Sequence, residues 1–371
     1  MNTYIAIFLI LAIGYAVGRI EIKGLGFGSA AILLVALVFG HFGVEIPAVV
    51  KNVGLVLFVS SVGLITGPVF FENFKNKALG FVTLGLLAII IGALVCVFCI
   101  KFMDIPTPLS LGLMTGALTS TPGLAAALEA TGDSMASVGY GIAYVYGVVG
   151  VVLFVQLIPR LTKASRDELD SAEKAAAESA EKKTLKGLIE IGTPGFFALA
   201  FVSVTGVLLG KVSIPLPGGV SLSLGMSGGP LFTGLLVGSI GHIGPVSLKA
   251  PKQMLETIRE LGMVLFFTAA GTEAGAGFVD ILMQHGFKLL FAGFLMTTIP
   301  MVVMYIIARK VFRIETYSAL GSVCGGMTST PALGALLNVA KSDIVAVSYA
   351  ATYPVALVMV VLSSQIINIL C

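Results

Sequence analysis

Apolar residues run through this chain in long blocks separated by short polar joints. Twelve blocks can be read, at about 4–18, 28–42, 53–70, 79–100, 109–128, 136–158, 196–210, 226–241, 261–278, 286–308, 317–337 and 344–369. Most approach or exceed the length that a helix needs to cross a bilayer. A single long polar stretch, 160–190, rich in Ala, Glu, Lys and Ser, separates six blocks from six. Polar on every face, it predicts a solvated helical or flexible linker. The predicted organisation is a first membrane repeat over 1–159, a cytoplasmic linker over 160–190 and a second membrane repeat over 191–371.

Composition points the same way. Of 371 residues, 57% are hydrophobic and 11% charged, against about a quarter charged in soluble domains, and the mean hydropathy is +1.04. A water-soluble fold of this size could not cover so much apolar surface. The net charge of +3 gives no footing for nucleic-acid binding. Cys96 and Cys99 lie in an apolar run without His or acidic neighbours, so core packing explains them and no metal or other cofactor is expected. The first apolar block precedes its basic residues, Arg19 and Lys23, which predicts a membrane helix entering from outside, with no cleaved signal.

The two halves echo each other. Thr119-Ser120-Thr121-Pro122 recurs as Thr328-Ser329-Thr330-Pro331. Tyr140 and Tyr144 recur as Tyr349 and Tyr353, and Gly54-Leu-Val-Leu-Phe as Gly262-Met-Val-Leu-Phe. Three blocks in one order at nearly constant offset indicate duplication. Loop charge then tests the topology, because Lys and Arg stay cytoplasmic. With the fifth block of each half re-entrant, 18 basic residues fall inside and 4 outside; with all twelve blocks crossing, the best split is 15 against 7. The predicted fold is an all-α membrane protein of two inverted repeats, each with five transmembrane helices and one re-entrant or broken helical hairpin. Both termini lie outside and the linker is cytoplasmic.

Each Thr-Ser-Thr-Pro motif predicts a helix break in mid-membrane. Thr121 is expected as N-cap with Pro122 the first helical residue, and Thr330 and Pro331 likewise. Irregular backbone at that depth is tolerated only against protein or a watery cavity. A helix N-terminus with added hydroxyls makes an anion cradle. Inversion would bring two cradles together near the midplane, suiting a small carboxylate with two anionic groups, or one carboxylate and a coupling ion, sodium or proton.

Leu118-Thr-Ser-Thr-Pro-Gly-Leu-Ala-Ala-Ala-Leu128, its echo at 327–337, Gly63-Leu-Ile-Thr-Gly-Pro-Val-Phe-Phe71 and Gly225-Met-Ser-Gly-Gly-Pro-Leu-Phe-Thr-Gly-Leu236 resemble the aspartate:alanine exchanger family across both membrane halves. The resemblance implies an antiporter of acidic amino acids or dicarboxylates in the inner membrane, working as a homodimer by an elevator-like motion. Members of that family carry two cytoplasmic regulatory domains between the halves, where this chain has only the short linker. It also has Ala270-Gly-Thr-Glu-Ala-Gly-Ala-Gly277 where Gly-Leu-x-x-Gly-Pro is expected.

The candidate substrate-binding residues are therefore Thr119, Ser120, Thr121, Pro122, Thr328, Ser329, Thr330 and Pro331, with Tyr144 and Tyr353 as phenol donors. The tyrosine pairs could instead form an interfacial belt or pack helices together. Glu273 costs at least ~2.5 kcal/mol at membrane depth; it is either a coupling or gating group or a boundary residue near the outer surface. Glu129, Asp133 and Asp343 are expected at solvated helix ends, and His41, His242 and His285 in loops. Competing functions are a sodium- or proton-coupled carboxylate symporter, an intramembrane enzyme and a channel. No His-Glu-x-x-His, aspartyl dyad or four-fold filter is present in the sequence to favour the last two.

Overall fold

The computed structural model describes residues 2–22, 25–26, 29, 31–75, 79–162, 189, 191, 195–215, 221–340, 342 and 344–371. Nearly all of the polar stretch at 160–190, and Asp343, lie outside the described residues. The chain is a helical membrane protein. In the first half, α1 (Thr3–Gly18), α2 (Ala31–His41), α3 (Ala48–Lys75) and α4 (Leu79–Phe102) lead to α5 (Thr107–Ala117), α6 (Thr121–Thr131) and α7 (Met135–Leu161). The second half runs α8 (Phe196–Gly210), α9 (Gly225–Ile240), α10 (Lys252–Lys310), α11 (Thr316–Gly326), α12 (Thr330–Ala340) and α13 (Ile344–Leu370). The spans long and apolar enough to cross a membrane include Leu79–Phe102, Met135–Leu161, Gly286–Lys310 and Ile344–Leu370. Two-stranded hairpins, Glu21–Ile22 with Leu25–Gly26 and Ser213–Pro215 with Ser221–Ser223, join α1 to α2 and α8 to α9, a correspondence that the apolar blocks did not reveal.

The fifth block of each half turns back on itself. Gly112 lies against Ala136 and Gly116 against Tyr140, so α5 and α7 run side by side in the same direction and start at one level. α6 and the short joint after it must therefore return the chain to the level where α5 began. Gly321 against Val345 and Gly325 against Tyr349 impose the same return on α12. Both pairs, α5–α6 and α11–α12, are helical hairpins with their tips at 118–120 and 327–329.

The third elements of the two halves cross antiparallel. Gly54 touches Phe266 and Gly262, while Gly262 touches Phe58 and Gly54. At this crossing only glycine lets the backbones approach. The ninth and tenth blocks, expected as two helices with a loop at 279–285, form one helical stretch in α10, so His285 stands in helical backbone. That stretch cannot be straight. Phe267 packs on Tyr140 with ring centres 6.1 Å apart, and Thr297 Oγ1 reaches the carbonyl of Ala117 at 3.5 Å. Tyr140 and Ala117 are neighbours through Gly116. Thirty residues of straight helix would span about 45 Å, so α10 folds back between those points and supplies two spans.

Duplication extends to the backbone. Asp104 and Arg313 take positive φ, 51° and 53°, at the entry to each hairpin. Ile105 N–H donates to the carbonyl of Cys99 and Ile314 N–H to that of Ala308, at the same separation of 209. Cys96, Cys99 and Cys324 are buried and unpaired, as packing residues would be. Glu129, expected at a solvated end, is half-buried. Its carboxylate accepts the Met226 N–H, and the Ser227 N–H and hydroxyl at 3.0 and 2.9 Å. It caps α9 across the halves, because the free amides there draw a carboxylate.

Candidate functional site

The hairpin tips meet. Thr119 Oγ1 donates to the carbonyl of Met327 at 3.0 Å, and Thr328 Oγ1 to the carbonyl of Leu118 at 2.7 Å. Each tip thus satisfies a carbonyl that the other's helix break has orphaned, as buried backbone groups demand. Both threonines sit in the left-handed region, φ 53° and 48°. That conformation costs a β-branched residue about 1–3 kcal/mol and tends to survive where function holds it.

The cap is Ser120, one residue before the expected Thr121. Its extended backbone lets Oγ accept the Gly123 N–H at 3.2 Å, and Thr121 is already helical. Thr121 instead shares a hydrogen bond of 3.3 Å with Tyr140, and Thr330 an equal one with Tyr349. Tyr140 stacks on Tyr144 and Tyr349 on Tyr353, with ring centres 5.2 and 5.1 Å apart. The tyrosine pairs therefore belong to the tips rather than to an interfacial belt.

A cavity of about 380 Å³ lies at the tips. Thr119, Ser120, Thr121, Pro122, Thr328, Thr330, Pro331, Tyr144 and Tyr353 line it, nine of the ten residues expected to bind substrate. Ser329, the tenth, is fully buried and does not line it; its hydroxyl has no partner among the described residues. Glu273 is also absent from the wall. It pairs with Lys51 and is half exposed, beyond the α3–α10 crossing.

The opposite wall comes from α3 and α10: Phe58, Val62, Arg259, Glu260, Met263 and Phe267. Glu260 accepts hydrogen bonds from Tyr15 at 3.0 Å and Ser29 at 2.6 Å. Arg259 makes no ion pair among the described residues. It also lines a second cavity of about 590 Å³, which shares Val62, Thr330 and Tyr353 with the first and reaches Lys252 and Glu256 at the start of α10. The two cavities adjoin at these shared residues, and the second reaches the start of α10. The ninth apolar block begins at 261, so Arg259 falls just outside it, among the basic residues counted as cytoplasmic. Lys252, Glu256, Arg259, Met263 and Phe267 recur at helical spacing, and that stripe is the signal that would have extended the helix and aimed Arg259 at the site.

The site lies between two packed groups. Hairpins α5–α6 and α11–α12 are held by α7, α13, α4 and the second span of α10. On the other side, α3 packs against α8, α9 and the first span of α10, α8 packs on α9, and α2 packs on the first span of α10.

The model of the Asp-Al_Ex family, described as a predicted permease membrane region, matches residues 6–160 and 198–369, leaving 161–197 between the two matched parts. An uncharacterized transporter of Bacteroides fragilis (strain YCH46) is 30% identical, with 99% of this chain and 98% of the relative covered. One of Bacteroides thetaiotaomicron is 29% identical over the same shares. One of Corynebacterium glutamicum is 28% identical, covering 100% of this chain and 98% of the relative. These alignments run over 522 to 528 positions against 371 residues here, so the relatives carry segments without a counterpart in this chain. With both membrane halves matched and full-length relatives named as transporters, this chain belongs to the aspartate–alanine exchanger family of membrane transporters.

Proposed function

We propose that this protein exchanges small carboxylate anions, acidic amino acids or dicarboxylates, across a bacterial-type inner membrane by exposing its tip cavity alternately to the two sides. The observation that carries this is the meeting of two hydroxyl-rich helix starts, cross-bonded through Thr119 and Thr328, on one small cavity. Hydroxyls and helix N-termini favour an anion without a fixed counterion.

Alternation follows from an inverted duplication. Equivalent helices related by an axis along the membrane normal run parallel; related by an axis in the membrane plane, they run antiparallel. The antiparallel crossing of α3 and α10 and the tip-to-tip meeting of the hairpins support the second arrangement. Sliding the hairpin-bearing group against the α3–α10 wall, in an elevator-like motion, would carry the cavity from one face to the other. Glu273, the residue that a cation-coupled symport would have used, stands with Lys51 away from the cavity and lends that reading no support.

Counterflow in proteoliposomes tests the proposal. Vesicles preloaded with aspartate or succinate should accumulate the labelled compound without an ion gradient. Thr121→Val and Thr330→Val should each lower that uptake at least tenfold with normal membrane insertion. Normal uptake by both variants, or uptake that needs a sodium or proton gradient and no internal substrate, would overturn it.

A further inference from the structure

Arg259 stands where the tip cavity adjoins the larger cavity that reaches the start of α10, half-buried and lining both spaces. Among the described residues it is the sole cationic side chain on the wall of the tip cavity. A guanidinium keeps its charge at any physiological pH. Its immediate neighbour Glu260 lines the same cavity, yet one carboxylate oxygen of Glu260 already accepts two hydroxyl donors, from Tyr15 and Ser29. Among the described residues no carboxylate pairs with Arg259. Its guanidinium is therefore left without an acidic partner and available to an incoming anion.

The cavity therefore offers anion-binding chemistry at two places on opposite walls. On one wall are the neutral donors of the hairpin starts, Ser120, Thr121 and Thr330. On the other, carried by α10, is a planar fork suited to a carboxylate. We infer that Arg259 sets the charge class of the substrate by holding a second carboxylate while the hairpin tips hold the first. A molecule with one carboxylate would fill only the tips. One with two would bridge the hairpin group and the α3–α10 wall, so that its occupancy couples the surfaces that must slide. This inference rests on the carboxylate-transport reading above and adds the residue that separates dianions from monoanions.

The test compares succinate with alanine as probes on purified protein, by ligand-dependent thermal protection and by counterflow in vesicles. In Arg259→Gln the half-saturating concentration for succinate should rise about tenfold or more, the scale of losing a charge-assisted hydrogen-bonded pair. The succinate-to-alanine preference should collapse with it. Arg259→Lys keeps the charge but not the fork, and should recover part of the preference; it also serves where the Gln variant folds poorly. Equal weakening of both probes by either variant, or an unchanged preference, overturns the inference. So does a wild-type protein that exchanges alanine and ignores succinate, an outcome that leaves carboxylate transport standing. Wild-type protein that binds and exchanges no carboxylate removes the functional reading and this inference together.

Discussion

The two hairpin sites share sequence, hydrogen bonds and ring stacking, yet they stand in different surroundings. Thr121 is 9% exposed and Tyr140 fully buried. Thr330 and Pro331 are exposed, and Tyr349 lines the larger cavity. The positions equivalent across the halves diverge too: Arg259 faces open space, whereas Lys51 is tied to Glu273. On the proposed inverted arrangement, two copies of one unit in such unlike environments would be one conformation of the pair, accessible beside the second hairpin and packed beside the first. The duplicated motifs set the chemistry of the site, and the inequality of their surroundings sets its direction of access.

The first way to sharpen the comparison is to perturb the place where the halves are alike. Gly54 and Gly262 face each other at the α3–α10 crossing. Gly54→Leu and Gly262→Leu should each destabilise the protein by about 1–3 kcal/mol, the usual cost of overpacking, and by similar amounts. Thermal unfolding in detergent reads this; a change felt at one glycine alone would break the symmetry argument. The second way probes where the halves differ. With the native cysteines replaced, Thr330→Cys should react with a membrane-impermeant thiol reagent at least tenfold faster than Thr121→Cys. The reagent should reach it from the side bearing Lys252. Equal rates would mean that the burial difference does not report access.

Much of this was legible in the sequence because proline and repetition leave strong marks. Pro122 and Pro331 mark the breaks, and the α5–α7 and α11–α13 packing makes each broken block a helical hairpin. The cap escaped by one residue because Thr-Ser-Thr offers three hydroxyls in a row, and only the extended backbone at Ser120 selects among them. Arg259 escaped because hydropathy ends a segment at its charges, while the helix continues through them. The partners of Glu273 and Glu129 were out of reach for a different reason. Lys51 is 222 residues away and Met226 is 97, and no local pattern encodes such a pairing.

The two caps give a smaller contrast. Ser120 Oγ satisfies the Gly123 amide, while the hydroxyl of its counterpart Ser329 is buried without a partner among the described residues. Removing a working cap costs about 1 kcal/mol; removing an idle hydroxyl of that size costs little. Ser120→Ala should lower the unfolding temperature measurably and Ser329→Ala should leave it nearly unchanged. Equal effects would place a working cap at both tips and remove this difference between the hairpins.

The Lys51–Glu273 pair allows the finest test, because it lies at the position equivalent to the open mouth. Its two side chains are 22% and 51% exposed, so screening limits what it contributes. Such pairs are worth about 0–1 kcal/mol, which corresponds to a shift of at most about fivefold between two conformations. If the pair holds the side of the first hairpin shut, Glu273→Gln frees Lys51 and moves the population toward the opposite exposure. Labelling should then rise at Thr121→Cys and fall at Thr330→Cys, and the ratio of the two rates should change by that factor, since both report one equilibrium. High salt should mimic the substitution in the wild-type background and add nothing to it in the Gln variant. A change at one cysteine without the reciprocal change at the other would make the pair a local surface contact, and the closed side of the comparison would then depend on packing around Tyr140 alone.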